Sequence, residues 1–427
     1  MKIAIEVISK EAISPSSPTP VHLRRYQLSF LDQFNSPVFM PLLVFYSRQN
    51  CTSNVERCEK MKKSLSQALT IFYPLAGRIK GNDYIDCNDE GVYFVEAKAN
   101  CCLSDILNCR DPSANNYFFP LELDDAAAAK LPTMVQLTCF ECGGLAVSLG
   151  MSHKVCDALS CIMFINCWAA IARGEDEIIT PQFNSAALFP LKNSSLFQPR
   201  AQSVKENIMT KRIVFNASGL ATLKEKYTVD GIRPTRVEAL SAFMWSRFMA
   251  STQTETDQVS KIYTIGQTVN LRSQMDPPLS NHYFGNIYVS TFTEPWRASE
   301  DGFHGIVKEI RDATRKVNSE LVKKLVESTV DECLYLLRNP AVDSVNSEVV
   351  HLHFTSLCRF PMYEVDFGWG KPVWVGSARW VFKNLICFFD TESGDGIEAW
   401  INLTEEDMAK FQSDQNFVSY ASLSSNV

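Results

Sequence analysis

Along most of this chain, short apolar segments typical of strands alternate with longer segments in which apolar residues recur with the spacing of a helix. The clearest case is a pair of strand-like runs at 134–140 and 145–151, which we predict to form a hairpin, followed by a mostly apolar helix at 158–172. Two further predictions are a hairpin over 83–97 and a helix over 320–337. Strands that alternate with helices in this way predict an α/β fold, in which helices cover the faces of sheets.

A stretch rich in proline, serine and asparagine interrupts the alternation at about 175–205, and a strand-like run restarts it at 211–215. The chain has 427 residues, more than one hydrophobic core usually serves. We therefore predict two domains, 1–205 and 206–427, with a crossover loop at about 175–205 that runs over the surface.

The composition disfavours several classes of protein. The formal charge of −7 is spread along the chain without a basic stripe, so no nucleic-acid partner is expected. No apolar window reaches the length of a membrane span, and the first residues lack the apolar segment of a secretory leader. The 14 cysteines show no metal-ligand spacing. We expect a cytoplasmic protein with reduced cysteines, no metal site and no membrane partner.

The segment His153–Asp157 places a histidine four residues before an aspartate, on the short connection between a predicted strand and a predicted helix. A buried histidine bonded to the backbone, and an aspartate that caps the helix, are its ordinary structural interpretations. In the catalytic interpretation a neutral His153, with an unperturbed pKa near 6.5, accepts a proton from an alcohol. Loops at strand ends commonly present such catalytic groups.

Two other chemistries fit this segment poorly. A zinc site built from His153, Cys156 and Asp157 lacks both the HExxH pattern and a second Cys/His cluster. A serine hydrolase is disfavoured because Ser152 immediately precedes the histidine and does not lie in a G-x-S-x-G elbow.

A second distinctive segment is Asp366–Gly370, in which two glycines flank a tryptophan. By itself this segment predicts a tight turn whose aspartate accepts hydrogen bonds from backbone amides. It has neither the G-x-G-x-x-G pattern nor the lysine of a phosphate-binding loop.

Together, His153–Asp157 and Asp366–Gly370 resemble the HxxxD and DFGWG signatures of the BAHD family of plant acyl-CoA-dependent acyltransferases. The resemblance covers essentially the whole chain. Through Pro15–Pro20 and the pair Gly143 and Gly144, the chain is similar to the alkaloid branch of the family, which contains vinorine synthase and deacetylvindoline acetyltransferase. Other landmarks of the family occur in the expected order at Phe72–Arg78, Asp86–Val92, Asn270–Arg272, Phe284–Asn286, Thr355–Phe360 and Gly394–Trp400.

The resemblance implies two chloramphenicol-acetyltransferase-like domains, each a mixed sheet with flanking helices, and an active-site channel between them. It implies that His153 is the general base and that Asn286 holds the imidazole by a hydrogen bond. Asp157 is expected to point away from the substrate and to pair with Arg272, which fixes the loop.

The resemblance also implies a role for the second signature. Asp366, together with Gly368, Trp369 and Gly370, is expected to support the acyl-CoA side of the channel. Asp366 is therefore expected to be structural rather than catalytic.

Two binding functions remain to be assigned to residues. Trp369 and the backbone amides near it are candidate donors to the oxyanion of the tetrahedral intermediate. The helix start at Thr235, with the charge of Arg236, is a candidate site for CoA phosphates. The alternative for Arg236 is an ordinary solvated helix face.

The resemblance predicts an acyl-CoA-dependent O-acyltransferase that acts on a hydroxylated indole alkaloid or a similar specialised metabolite. The alcohol would attack the thioester directly in a ternary complex, so neither an acyl-enzyme nor a permanently bound cofactor is expected. Acetyl-CoA is the expected co-substrate, because the stretch after Lys410 contains no cation for a malonyl carboxylate. Malonyl or another acyl donor, an amine acceptor, and a catalytically silent binding protein are the alternatives. We expect a monomer.

Overall fold

The computed structural model describes residues 3–48, 53–121, 128–192, 207–229, 231–252, 260–295, 305–343, 347–417 and 420. The strands are β1 (Ile5–Ile13), β2 (Arg25–Gln27), β3 (Phe39–Tyr46), β4 (Arg78–Lys80), β5 (Tyr84–Asp86), β6 (Val92–Ala99), β7 (Thr133–Phe140), β8 (Leu145–Ser152), β9 (Ile208–Phe215), β10 (Ser260–Asn270), β11 (Tyr288–Phe292), β12 (Ser347–Ser356), β13 (Trp374–Gly376), β14 (Leu385–Asp390) and β15 (Ile397–Thr404). The helices are α1 (Phe30–Gln33), α2 (Asn54–Ile71), α3 (Leu103–Cys109), α4 (Pro112–Asn115), α5 (Ala158–Arg173), α6 (Ser185–Leu188), α7 (Ala217–Lys226), α8 (Arg236–Thr252), α9 (Ile306–Arg315), α10 (Ser319–Glu327), α11 (Val330–Leu337) and α12 (Glu405–Ser413).

The chain divides into two compact units that differ from the predicted cut between 205 and 206. Two segments of the second half, Ser280–Ile287 and Phe360–Val381, belong to the first unit. The second of these carries the DFGWG signature, and it joins the first unit because β13 pairs antiparallel with β3. Part of the predicted crossover loop, residues 193–205, lies outside the described residues. The first unit contains Met1–Ala201, Ser280–Ile287 and Phe360–Val381, and the second contains Gln202–Leu279, Tyr288–Arg359 and Phe382–Val427.

The first unit is built on a six-stranded mixed sheet with the order β1-β6-β7-β8-β3-β13. Its β6 and β7 are parallel and the other neighbours are antiparallel. Helices α2 and α5 pack together, and the indole N–H of Trp168 donates to the carbonyl of Met61 at 3.2 Å and to Oγ of Ser64 at 3.0 Å. A smaller antiparallel sheet has the order β2-β5-β4.

The elements around the histidine confirm the local predictions. Strands β7 and β8 form the predicted hairpin, in which Phe140 N–H donates to the Gly144 carbonyl at 2.9 Å. Gly143 has φ +84° in this turn, a backbone conformation that favours glycine. Helix α5 follows and ends at Gly174, whose φ is +77°.

The predicted hairpin over 83–97 is wrong. Strand β5 pairs with β2 and β4, whereas β6 pairs with β1 and β7, so the two strands belong to different sheets. Between them, Cys87 N–H donates to the Arg24 carbonyl and Gly91 N–H donates to the Ala76 carbonyl, both at 2.9 Å. These long-range bonds separate the two strands instead of closing a tight turn.

The second unit contains a mixed sheet with the order β11-β10-β12-β14-β15-β9, in which β12 is parallel to both of its neighbours. Residues of α7, α8, α9 and α12 form one apolar core with one face of this sheet. The predicted single helix over 320–337 is two helices, α10 and α11, because Thr329 caps α11 and exchanges hydrogen bonds with Glu332. Both units therefore have the predicted α/β architecture of a mixed sheet with flanking helices.

Within the described ranges, no helix is long and apolar enough to cross a membrane. The same part of the chain contains no group of three or more His, Cys, Asp or Glu side chains arranged to hold a metal ion.

Candidate active site

His153 lies on a rigid connection between the end of β8 and the start of α5. Its N–H donates to the carbonyl of Val38 at 2.8 Å, and Val155 N–H donates to the carbonyl of Ser152 at 2.9 Å. His153 is half-buried, whereas Ser152, Val155 and Asp157 are buried. These two backbone hydrogen bonds restrict the conformation of the loop and therefore the position of the His153 side chain.

The amide of Asn286 sets the protonation pattern of the imidazole. Its Nδ2 donates to Oδ1 of Asp32 at 2.8 Å and to the carbonyl of His153 at 2.8 Å. Its Oδ1 lies 3.1 Å from Nδ1 of His153. Since both amide hydrogens are directed elsewhere and Oδ1 can only accept, Nδ1 carries the proton and Nε2 is the acceptor nitrogen of the neutral ring.

The surroundings of His153 favour its neutral form. Burial lowers the pKa of His153 below its usual 6.5. This effect outweighs the backbone hydrogen bonds at His153 and Cys156, the charge of Asp157 and the hydrogen bond that Asn286 accepts, all of which raise the pKa. A neutral imidazole at neutral pH is the form that can accept a proton.

Both carboxylate oxygens of Asp157 accept hydrogen bonds from backbone amides. Oδ1 accepts from Ser160 N–H at 2.9 Å and caps α5, and Oδ2 accepts from Ile287 N–H at 3.1 Å. Its own N–H donates to the carbonyl of Gly285 at 3.3 Å. Asp157 therefore links the histidine loop (His153–Asp157), α5 and the segment that carries Asn286 through hydrogen bonds.

The expected partner of Asp157, Arg272, has a buried side chain that is 1% exposed. Its Nη1 donates to Oδ1 of Asn270 at 3.3 Å. A buried guanidinium is stable only when it is paired or hydrogen-bonded. The pairing of Arg272 with Asp157 stays a prediction.

Phe284 and Gly285 place Asn286 accurately. The ring of Phe284 lies 5.3 Å from that of Phe183 and 5.9 Å from that of Phe72, in edge-to-face contacts. Gly285 has φ +126°, and a Cβ there would lie 2.9 Å from Oγ of Ser185. Only glycine fits this backbone and this space without strain.

The DFGWG signature forms the predicted turn. Oδ1 of Asp366 accepts from the N–H groups of Gly368, Trp369 and Gly370 at 2.7, 3.1 and 2.9 Å. Both glycines have φ +98°. These three amides already have an acceptor, so the expectation that amides beside Trp369 serve the oxyanion is not supported.

The structure does not bring this turn to His153. The guanidinium of Arg173, at the last residue of α5, donates to the carbonyl of Asp366, whereas the histidine loop precedes the first residue of α5. A 16-residue helix is about 24 Å long at 1.5 Å per residue. Trp369 instead packs against α2, with Lys60 Nζ 5.5 Å from its ring centroid.

Thr235 and Arg236, the candidate residues for CoA phosphates, lie at the start of α8 in the second unit. Thr235 and Glu238 exchange hydrogen bonds in a capping box. The Arg236 guanidinium donates to the carbonyls of Gly394 and Asp395 at 3.0 and 2.9 Å. The observed contacts of Arg236 therefore brace a turn, and a role in CoA binding stays a prediction.

Sequence reasoning assigned no role to two buried charged residues, Lys154 within the histidine loop and Asp32 near it in space. Asp32 is 0% exposed and bonds to Asn286, and Lys154 is 2% exposed. The pattern from Ser29 to Asp32 does predict a capping box, which the structure contains, but nothing in it indicates a contact with Asn286.

Known proteins are similar to this chain over nearly its whole length. A family model described as the Transferase family matches residues 3–418. Limonoid 21-O-acetyltransferase of Melia azedarach is 36% identical, with 98% of each chain covered, and stemmadenine O-acetyltransferase of Catharanthus roseus is 36% identical, with 96% of each covered. The crystal structure of vinorine synthase matches with a TM-score of 0.82 at 32% identity and covers 98% of each chain. The chain therefore belongs to the BAHD family of acyl-CoA-dependent acyltransferases and is an acyltransferase.

Proposed function

We propose that this protein transfers an acetyl group from acetyl-CoA to a hydroxyl of a polycyclic specialised metabolite, with His153 as the general base. One observation carries the proposal: the Asn286 amide faces Nδ1 of His153 and leaves Nε2 as the acceptor nitrogen. Direct transfer from a thioester needs a base beside the acceptor hydroxyl, and the thiolate is already a good leaving group.

In the proposed mechanism the acceptor hydroxyl gives its proton to Nε2 of His153 while its oxygen attacks the thioester carbonyl. The tetrahedral intermediate then expels the CoA thiolate, which takes that proton from the imidazolium and leaves as the free thiol. The new ester bond replaces the thioester bond, and the base returns to its neutral state. Asp157 supports this step by holding the loop through Ser160 and Ile287, and its proposed pairing with Arg272 adds to that support.

The names of the relatives support the choice of donor and acceptor. Two are named as O-acetyltransferases, one for a limonoid and one for stemmadenine. We therefore propose a bulky alcohol of the alkaloid or limonoid type as the acceptor. The stretch after Lys410 contains no Lys or Arg for a malonyl carboxylate, which also favours acetyl.

The proposal includes a monomeric cytoplasmic enzyme that binds acyl-CoA and a small-molecule acceptor. A catalytically silent relative is the rival from another class of protein. The hydrogen-bonded arrangement of His153, Asn286 and Asp157 favours the enzyme, because a binding protein has no need of a histidine held in one tautomer.

Mass spectrometry of product mixtures tests the proposal. The purified protein is incubated with acetyl-CoA or malonyl-CoA and a panel of hydroxylated indole alkaloids and limonoids. We expect an acceptor that gains one acetyl group, and an unmodified protein mass after incubation with acetyl-CoA alone. A malonylated product would overturn the donor, and an acylated protein would overturn direct attack. Saturable acceptor binding without any product would favour the silent binding protein.

A further inference from the structure

We propose that Asp32 is a positioning residue for acyl transfer, which acts through Asn286 to hold His153 as the Nδ1–H tautomer. The inference rests on the proposed role of His153 as the base. Asp32 does not itself reach the imidazole in this arrangement; the Asn286 amide lies between them.

The Asp32 carboxylate accepts four hydrogen bonds from the described residues, two of them from backbone N–H groups whose direction is fixed. Oδ1 accepts from the backbone N–H of Asn286 at 3.0 Å and from its Nδ2 at 2.8 Å. Oδ2 accepts from the N–H and Oγ of Ser29 at 2.8 and 2.7 Å. A carboxylate can only accept, so a flipped Asn286 amide would place its oxygen against a negative oxygen. The Asp32 carboxylate therefore selects one amide orientation, together with the His153 carbonyl, which accepts the other amide hydrogen at 2.8 Å.

The orientation of the Asn286 amide determines whether Nδ1 of His153 faces a hydrogen-bond acceptor or a donor. With Nδ2 turned to Asp32, the amide presents Oδ1 to Nδ1 of His153. The flipped amide would present a donor to the same nitrogen and favour the Nε2–H tautomer. In that tautomer Nε2 carries a proton and cannot accept one from a hydroxyl.

Lys154 fastens the helix that carries Asp32 to the histidine loop. Its Nζ donates to the carbonyls of Asp32 and Gln33 at 3.1 and 3.3 Å, and to Oδ1 of Asn82 at 2.8 Å. Burial lowers the pKa of Lys154 to about 8, and the charge of Asp32 opposes this effect. Burial likewise raises the pKa of Asp32, against the hydrogen bonds from Ser29 and Asn286.

Two side chains of opposite charge type, Asp32 and Lys154, are thus buried in or near the loop that carries His153. A buried charge is stable only when hydrogen bonds compensate its loss of water, and both side chains have such bonds.

The test compares Asp32→Asn with Ser29→Ala as the matched control. The first change removes the carboxylate that orients Asn286, and the second removes a hydroxyl donor to the other oxygen and leaves the Asn286 bonds in place. The readouts are the tautomer of His153 by ¹⁵N NMR of histidine-labelled protein, and kcat and KM for acyl-CoA. Unfolding curves confirm that each variant is folded.

For Asp32→Asn we expect a mixture of His153 tautomers and a kcat lower by roughly 10–100-fold, with KM for acyl-CoA changed by less than about 3-fold. Ser29→Ala should keep the Nδ1–H tautomer and most of kcat. In an Asn286→Ala background, Asp32→Asn should lower kcat little further, because the proposed effect passes through Asn286.

Three results would overturn the inference. One is an Asp32→Asn variant that keeps both the tautomer and kcat. Another is an equal loss of kcat in Ser29→Ala, which would indicate that Asp32 acts only through its capping hydrogen bonds with Ser29. The third is an Nε2–H tautomer in the unsubstituted protein, a measurement that holds even if Asp32→Asn does not fold. Activity in His153→Ala would instead contradict the base role, independently of any tautomer change in Asp32→Asn.

Discussion

Asp157 accepts a hydrogen bond at 3.1 Å from the backbone N–H of Ile287, which follows it by 130 residues in the sequence. The same carboxylate caps α5 through Ser160. One side chain thereby holds the histidine loop against the segment that supplies Asn286.

Asp157→Ala should destabilise the protein, because it removes a helix cap and leaves the Ile287 N–H without its buried acceptor. We expect a loss of about 2–4 kcal/mol in the free energy of unfolding, measured by denaturant titration, with reduced turnover. Asp157→Asn is the control, since asparagine also caps helices well and should lose less. A variant that is inactive but as stable as the parent would indicate a direct electrostatic role.

Asp366→Ala should affect stability more than chemistry. It removes one acceptor shared by three backbone amides at the far end of α5 from the histidine loop. We expect a loss of about 1–3 kcal/mol with kcat within a few-fold of the parent. Glu364→Ala, which removes an exposed pair with Lys371, is the control and should change little. If kcat collapsed in Asp366→Ala without loss of stability, the signature would be catalytic.

Gly285→Ala should displace Asn286. The new methyl group meets Ser185 in a backbone conformation that favours glycine, so we expect a loss of about 1–3 kcal/mol and a reduced kcat. Gly174→Ala is the control, because its φ is +77° but a Cβ there has open space. The control should lose stability and keep kcat. Equal losses of kcat in the two variants would show that Gly285 has no specific role in positioning Asn286.

The pH dependence follows from the depressed pKa of His153. The base must be neutral, so kcat/KM should fall only as the pH drops through a value below 6.5. Between 6.5 and that lower pKa the unfolded chain binds a proton that the native state does not, so stability also falls as the pH is lowered through this window. Initial rates and unfolding curves over pH 5–8 measure both effects. An acid limb clearly above 6.5 would contradict the burial of the base.

Local patterns predicted much of this site. The hairpin before His153, the helix after it and the cap at Asp157 are all encoded within about 40 consecutive residues, where hydrophobic periodicity and capping chemistry act. The role of Asn286 followed from resemblance to a family rather than from its local pattern.

Long-range contacts could not be predicted in the same way. The pairing of β13 with β3 brings together segments about 330 residues apart, and nothing in either strand specifies the other. Asp32 lies 121 residues before His153, and its sequence context indicates only a short helix start. The tertiary fold decides which of several buried carboxylates meets the Asn286 amide.

The central claim is that His153 is the base, and the most direct measurement is kcat of His153→Ala with acetyl-CoA and the acceptor found by mass spectrometry. His282→Ala is the matched control, because that side chain is exposed. We predict that His153→Ala lowers kcat by about 10²–10⁴-fold with an unchanged unfolding midpoint at pH 8, while His282→Ala keeps the parent rate. A His153→Ala enzyme that turns over at close to the parent rate would contradict the account.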